Sequence, residues 1–343
     1  MPNKNIVTLK DLAKELSLSI STVSRALNNH PDISKETKKR VTEVAKKFHY
    51  IPNVFAKGFR SHKTFTIGVI VPDISHYFTS TLIKGIMQEA EINGYKVIVS
   101  ESRNNEHKQA EMLQTMNQFG VDGILLSLAR KTTNFDEIFN TMRLRPLVLF
   151  DKISTKVPCT QVVIDDENAA FKVVEHLIQI GKKRIAIIKE TEKSYNSEMR
   201  YLGYLRALRT YKIDIDESII LNSEDISMQQ GKRLGKVLIS MKNRPDGIFC
   251  VVDSAAIGVI KVLNNNKISI PNEIAVAGFS NDLASIIIEP KLTTIDQPGN
   301  KIGEVAIKYL LEEINNDVQI SNKTIEIKTN LIVRDSTFKI NGY

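Results

Sequence analysis

A chain of 343 residues exceeds one typical domain and has room for two or three. Its 42% apolar content suffices for a substantial core, and no run of about 18 apolar residues is present to cross a bilayer. Charge is unevenly placed: residues 1–63 hold 13 Lys and Arg against 5 Asp and Glu, whereas the whole chain holds 47 against 39, so the net +8 lies in the first segment and the rest is balanced. A basic head on a neutral body points to one part that meets a polyanion and another with a different task. The opening Met-Pro-Asn-Lys-Asn lacks the apolar stretch of a secretory signal. Cys159 and Cys250 sit at no metal or redox spacing, which predicts buried free thiols in a reducing cytoplasm.

Thr8 precedes Leu9, Leu12, Ala13 and Leu16, the spacing of one amphipathic helix. Ser17-Leu18-Ser19 breaks it. Ser19 is a good N-cap for a second helix, Ile20 to Leu27, with Val23, Ala26 and Leu27 inward. Ser34 caps a third, with Val41, Val44, Ala45 and Phe48 on one face, and Pro52 ends regular structure. Three short helices with a polar turn between the first two form the helix-turn-helix pattern. After Thr64, Phe65–Val71 reads as a buried strand. A helix at about 79–93, a strand at 96–100 and a helix at about 108–118 follow. Further apolar strands are predicted at Gly123–Ser127, Leu147–Phe150, Arg184–Ile188, Gly247–Val252 and Ile274–Gly278. Continuous apolar strands alternating with helices predict parallel sheets covered on both faces. About nine such units exceed one compact sheet, so two α/β lobes with a cleft between them are expected.

The motifs Thr8-Leu-Lys-Asp-Leu-Ala, Ser19-Ile-Ser-Thr-Val-Ser-Arg25, Leu27-Asn28, Tyr50-Ile-Pro-Asn53, Asp122-Gly-Ile-Leu, Gly278-Phe-Ser-Asn281 and Leu292-Thr-Thr-Ile-Asp-Gln-Pro298 span the chain. In order and spacing they resemble the LacI/GalR family of transcriptional regulators. The resemblance implies an all-α helix-turn-helix domain (1–52), a hinge helix and linker (53–64), and a two-lobed α/β core similar to periplasmic binding proteins. The N-terminal lobe would comprise 65–164 and 294–326, and the C-terminal lobe 165–293 and 327–343.

The second helix would then enter the major groove. Ile20 and Ser21 match the family's base-reading positions, and so does Arg25, whose fork can grip guanine for roughly 1–3 kcal/mol of discrimination. Ser19, Thr22, Ser24 and Asn28 suit phosphate oxygens, and Thr8, in the family's first motif, is also expected at the DNA. Lys38, Lys39 and Arg40 read as a solvated basic face that attracts DNA without regard to sequence. Asn53, Ala56 and Phe59 match the hinge helix, in which Phe59 replaces the family's usual leucine wedge for the minor groove. Gly58 departs from it at a cost of about 1 kcal/mol of helix propensity. The segment is expected to fold only in the dimer on DNA.

Ligands of such lobes sit at strand C-termini facing the cleft. Asp73, Tyr77 and Phe78 follow the first core strand, where the two rings could stack on a sugar face, and Asp151 follows Leu147–Phe150; Arg200, Ile226, Asp253, Ser280, Asn281 and Gln297 match the family's cleft positions. Their inventory of planar polar groups over an apolar platform implies a sugar or sugar derivative. Ser280 replaces a common carboxylate, Ile226 an aromatic platform, and Ser194 the arginine of purine-binding relatives. Asp151 and Asp253 are also placed to cap helices. The six histidines are scattered, and neither phosphate loop, nucleophile elbow nor metal spacing occurs, so no enzyme, cofactor or metal is expected. The resulting expectation is a cytoplasmic homodimeric repressor of palindromic operator DNA, controlled by a small molecule and not attached to membrane. The absence of a heptad segment favours the dimer over a tetramer. A pure ligand-binding protein and a regulator governed by a protein partner are the alternatives. The sign of the ligand response is not encoded in these motifs.

Overall fold

The computed structural model describes residues 7–50, 63–191, 194–316 and 322–338. The chain divides into two units, residues 1–64 and 65–343. The predicted hinge residues Asn53, Ala56 and Phe59 lie outside the described residues.

The first unit holds α1 (Leu9–Leu16), α2 (Ile20–Leu27) and α3 (Lys35–Lys47). Each helix starts on a side-chain cap that satisfies an otherwise orphaned N–H. Thr8 and Asp11 form a reciprocal capping box on α1. Ser19 Oγ accepts the Thr22 N–H at 3.0 Å, and Ser34 Oγ accepts the Thr37 N–H at 3.1 Å. Ser17, at φ 54°, ends α1 in the left-handed region and turns the chain towards α2. Leu12, Ala13, Leu16, Val23, Ala26, Val41 and Ala45 form the buried centre; Leu27, Val44 and Phe48 are half-buried against it. Arg40 Nη2 donates to the Leu16 carbonyl at 3.0 Å. A cation thus closes a free C-terminal carbonyl of α1, while Arg40 as a whole stays exposed.

The second unit contains two parallel sheets. The first runs β11-β5-β4-β3-β1-β2, with β1 (Thr66–Val71), β2 (Lys96–Glu101), β3 (Gly123–Leu126), β4 (Leu147–Phe150), β5 (Gln161–Ile164) and β11 (Thr324–Ile327). The second runs β7-β6-β8-β9, with β6 (Ile185–Glu190), β7 (Ile220–Ser223), β8 (Gly247–Cys250) and β9 (Ala275–Ala277). Alternation divides β1 between two cores. Ile67, Val69 and Val71 face Leu82 and Ile86 of α4 (Tyr77–Ile92) and Ile302 and Leu310 of α12 (Gly299–Asn315). Ile70 belongs instead to the core with Leu113 and Met116 of α5 (Glu106–Gln118). Helices α6 (Asp136–Leu144), α7 (Asp166–Gln179), α8 (Tyr195–Thr210), α9 (Met228–Ser240), α10 (Asp253–Asn265) and α11 (Ala284–Ile287) complete the layers. Cys159 and Cys250 are buried and free, and burial pushes the Cys159 thiol up to about 12.

The chain crosses between lobes three times: after β5, between β10 (Thr294–Asp296) and α12, and between β11 and β12 (Asn330–Ile332). β10 pairs antiparallel with β12 and bridges to Ser280, which ranges Thr294–Asp296 with the C-terminal lobe. The second crossing therefore falls after Asp296, not before Thr294. Ile327 completes β11, so this residue too belongs one side further than the predicted boundary placed it, in the N-terminal lobe.

Helices α4 and α12 pack closely because glycines remove side chains at the contact. A Cβ on Gly303 would lie 2.2 Å from the Leu82 carbonyl oxygen. Gly303→Ala is expected to destabilise the core by about 1–3 kcal/mol as the helices separate. Urea unfolding of the full chain checks this; an unchanged midpoint would show that the helices part freely.

Candidate functional site

In the head, the burial of Val23 and Ala26 fixes which face of α2 remains outside. Ile20, Ser21, Arg25 and Asn28 are exposed along that face, with Thr22 and Ser24 half-buried beside it. Ile20 is half exposed although apolar. An eight-residue helix that leaves an isoleucine in water beside an arginine is shaped for a partner carrying both apolar and acceptor groups. The Ile20 and Ser21 N–H groups precede the first intrahelical acceptor, while Ser19 has taken that of Thr22. Such an N-terminus attracts phosphate. Arg25 lies 3.8 Å from Asp32 with both side chains more than half exposed, a contact too weak to hold it. Asn28 Nδ2 donates to the Ser24 carbonyl at 2.8 Å and retains a second amide hydrogen. Thr8 differs from the expectation: its N–H and its hydroxyl both donate to Asp11, at 2.8 and 2.7 Å. Its first task is to start α1.

The predicted effector residues are placed unequally. Asp73 follows β1 and accepts the Ser75 N–H and hydroxyl at 2.7 and 2.6 Å; Tyr77 is exposed and Phe78 half-buried at the start of α4. Asp151 follows β4 in the left-handed region, at φ 58°, and its carbonyl accepts the Asn196 amide at 3.2 Å. Arg200 is nearly buried. Its Nε donates to Asp166 at 2.7 Å, its Nη1 to the Val251 carbonyl at 2.7 Å, and its guanidinium lies 3.7 Å from the centre of the Phe279 ring. Burial pushes the Asp166 carboxyl up to about 6 even with Arg200 beside it.

Asp253 requires a correction. It is fully buried, accepts the Thr294 hydroxyl at 2.6 Å and the Asp282 N–H at 2.8 Å, and caps no helix. Its carboxylate pins the crossing strand β10 to the C-terminal lobe. Gly278 is glycine because a Cβ there would fall 2.2 Å from Asp253 Oδ1. Asn281 is likewise engaged: it donates to Asp296 at 2.9 Å and accepts from Arg334 at 2.7 Å. Ser280 donates its N–H to the Ile295 carbonyl; Ile226 and Gln297 are buried.

A cavity of about 260 Å³ opens at the cleft edge, lined by the segments that follow β3 and β4 and by the first turn of α8. None of the ten predicted effector residues lines it; Asp151 adjoins it through Lys152. Across the cleft, Arg130 Nε stands 3.3 Å from Glu190 Oε1, Arg130 Nη1 donates to the Glu224 carbonyl at 3.5 Å, and Ser194 Oγ donates to Glu190 Oε2 at 2.8 Å.

A helix-turn-helix joined to a two-lobed core can be compared with known proteins. Residues 8–53 match the model of bacterial regulatory proteins, lacI family, and residues 174–337 match the periplasmic binding protein-like domain. The NTD biosynthesis operon regulator NtdR of Bacillus subtilis is 34% identical over 330 residues, 96% of this chain and 99% of that protein. Catabolite control protein A of Priestia megaterium is 33% identical over 332 residues, with the same shares. The chain belongs to the LacI family. It is a DNA-binding transcriptional regulator and not an enzyme. The lac repressor dimer bound to operator and the anti-inducer ONPF has the same fold, with a TM-score of 0.85 over 97% of this chain and 99% of that one, at 22% identity.

For this LacI-family chain, motif reading missed Arg130, Lys152, Glu190, Asp166 and Asn196. Asp165-Asp166 directly after the apolar Val162–Ile164 run was the available signal for Asp166; Asp165 caps the helix that follows, and Asp166 is buried. Asp253 provides a test. An acid whose folded pKa is raised, here to about 6 from 3.8 by burial, binds its proton more tightly when folded. Its contribution to stability therefore grows as pH falls through 6. Asp253→Asn cannot titrate, so the excess of the wild-type melting temperature over the variant's is expected to widen between about pH 7.5 and about pH 5. A constant gap would place its pKa at the ordinary value, and a narrowing gap would place it below.

Proposed function

We propose that this regulator is a cytoplasmic homodimeric repressor that reads a roughly palindromic operator through α2 and is controlled by a small molecule, a sugar or sugar derivative, held between the lobes. The observation that carries the reading is the exposed face of α2, where Ile20, Ser21 and Arg25 stand out from a helix whose other face is buried. Arg25 supplies the fork for guanine O6 and N7, and Ile20 the apolar contact for a thymine methyl. Ser19, Thr22, Ser24 and Asn28 take phosphates, and Thr8 acts by fixing α1. Two heads on a two-fold axis meet half-sites about one helical turn apart. Asn53, Ala56 and Phe59 would wedge the minor groove at the centre.

In the cleft, Asp73, Tyr77, Phe78 and Asp151 are the residues best placed to meet a ligand directly. Arg200, Asp253, Asn281 and Gln297 shape the floor under it. Ligand contacts from both lobes alter their relation and so couple cleft to operator by about 1–3 kcal/mol. Among the described residues no helix is long and apolar enough to cross a membrane, which is compatible with a regulator at the chromosome.

Selection of duplexes from a random pool at fixed salt is expected to yield a palindromic consensus. Arg25→Ala should relax preference at one base pair per half-site, by about 1–3 kcal/mol. Lys39→Ala should weaken all duplexes alike and shallow the salt dependence by about one counterion. Loss of the whole consensus in Lys39→Ala, with Arg25→Ala unaltered, would exchange their roles. An unenriched pool would overturn the reading of α2 as a sequence reader.

A further inference from the structure

The cavity at the cleft edge has two walls. The N-terminal lobe contributes Arg130, Thr132, Lys152 and Ser154, and the C-terminal lobe contributes Tyr195 and Glu198. Pairing accounts for most of the charge around it. Arg130 is held by Glu190, whose second oxygen accepts from Ser194. Asp166 is held by Arg200 and by the Asn196 amide at 3.0 Å. Asp151 receives two long contacts, at 3.5 Å, from Ser127 and Asn196; burial raises its pKa, and the nearby Lys152 and Arg200 oppose that shift.

Lys152 is the exception. Among the described residues, no carboxylate lies within 4.0 Å of its ammonium and no hydrogen bond engages it; burial lowers its pKa, and Asp151 and Glu190 attract it only from beyond contact distance. A half-buried cation that lines a cavity with no close partner is free to pair with an arriving anion. The facing wall adds a second positive element. Helix α8 is 16 residues long and begins in this wall, with Ser194 Oγ taking the Ser197 N–H at 3.4 Å. The Tyr195 and Asn196 N–H groups precede the first intrahelical acceptor there. The remaining charge on the walls, Glu198, lies one turn along α8 and can accept only from a hydroxyl or ammonium of the same molecule.

We infer that the molecule taken in this cleft carries an anionic group, a carboxylate or a phosphate, seated between Lys152 and the N-terminus of α8, with a hydroxyl or ammonium donor directed at Glu198. The class is an acidic sugar derivative rather than a neutral sugar. Because its contacts come from both lobes, such an anion draws them together. This rests on the reading of the cleft as the effector site.

The test is calorimetric titration of the full chain with D-glucuronate, D-glucose 6-phosphate, inorganic phosphate, D-glucose and D-glucosamine, with operator affinity measured in parallel. At least one of the two sugar acids should bind at least tenfold more tightly than glucose and glucosamine. The stronger of the two identifies carboxylate or phosphate, and binding of inorganic phosphate alone would show the anion to be the anchor. Lys152→Met should lose at least tenfold in acid affinity, and Lys152→Arg should restore most of it, which separates charge reading from misfolding. The inference is overturned if neither acid binds, if glucose or glucosamine binds as tightly, or if Lys152→Met binds the acid unchanged. Acids that bind through Lys152 yet leave operator affinity alone would uphold the anion site and refute the effector reading. A neutral sugar that binds and shifts operator affinity would do the reverse.

Discussion

The core of this regulator depends on one buried ion pair. Arg200 reaches from α8 to Asp166 at the first crossing, to the Val251 carbonyl beyond β8, and flat onto Phe279 beyond β9. Three segments that would otherwise end as separate strand tips are tied to one guanidinium. Removing two charges from water is expensive, and the pair recovers the cost through geometry: one carboxylate oxygen meets Nε at 2.7 Å, the other accepts from Asn196 at 3.0 Å. Deleting either partner would strand the other in a dry site. Arg200 is therefore a positioning residue before it can be anything else. Its family match to a ligand contact and its structural work are compatible because its planar fork presents several donors at once.

From that centre the polar network runs outward across the lobes. Asn196 also donates to the Asp151 carbonyl, which belongs to the opposite lobe, and Arg130 reaches Glu190 nearby. These contacts are polar and adjacent to a cavity, whereas the apolar core is closely packed, one part of it continuous through both lobes and another on the second face of the first sheet. Packed lobes move as bodies, so a change confined to the polar seam becomes a change in their relation. The head follows a different economy: three short helices, caps at each start, and a small core whose burial leaves one face of α2 outside.

Legibility tracked the range of the interactions. Caps are local, so Ser19 and Ser34 could be named as caps from neighbouring residues alone, and Val23 and Ala26 could be placed inward by spacing; Thr8 was placed before α1 but not named as its cap. Strands with long apolar runs were visible too, within one or two residues of their observed ends. β5, β7, β10, β11 and β12 were not. They are no shorter than β3, β4, β8 and β9, but each carries a polar residue that interrupts the apolar run, and their pairing, such as β11 with β5, joins segments some 160 residues apart. Family matching placed Asp253 and Asn281 in the cleft. It could not show that Thr294, Asp282 and Arg334, distant in sequence or hidden in loops, already occupy them. Lys152 escaped notice because a lysine beside an aspartate reads as a paired surface charge until its surroundings are known.

The proposed control of the head by the seam between the lobes is open to direct measurement. It is tested by operator affinity in a double-mutant cycle across that seam: wild type, Arg130→Met, Glu190→Gln and the double variant, each first shown to be folded. Each single change is expected to shift operator affinity, and the double change to differ from the sum of the two, since both act on one contact. Four equal affinities on the same operator would contradict it, leaving a DNA-binding head indifferent to the core.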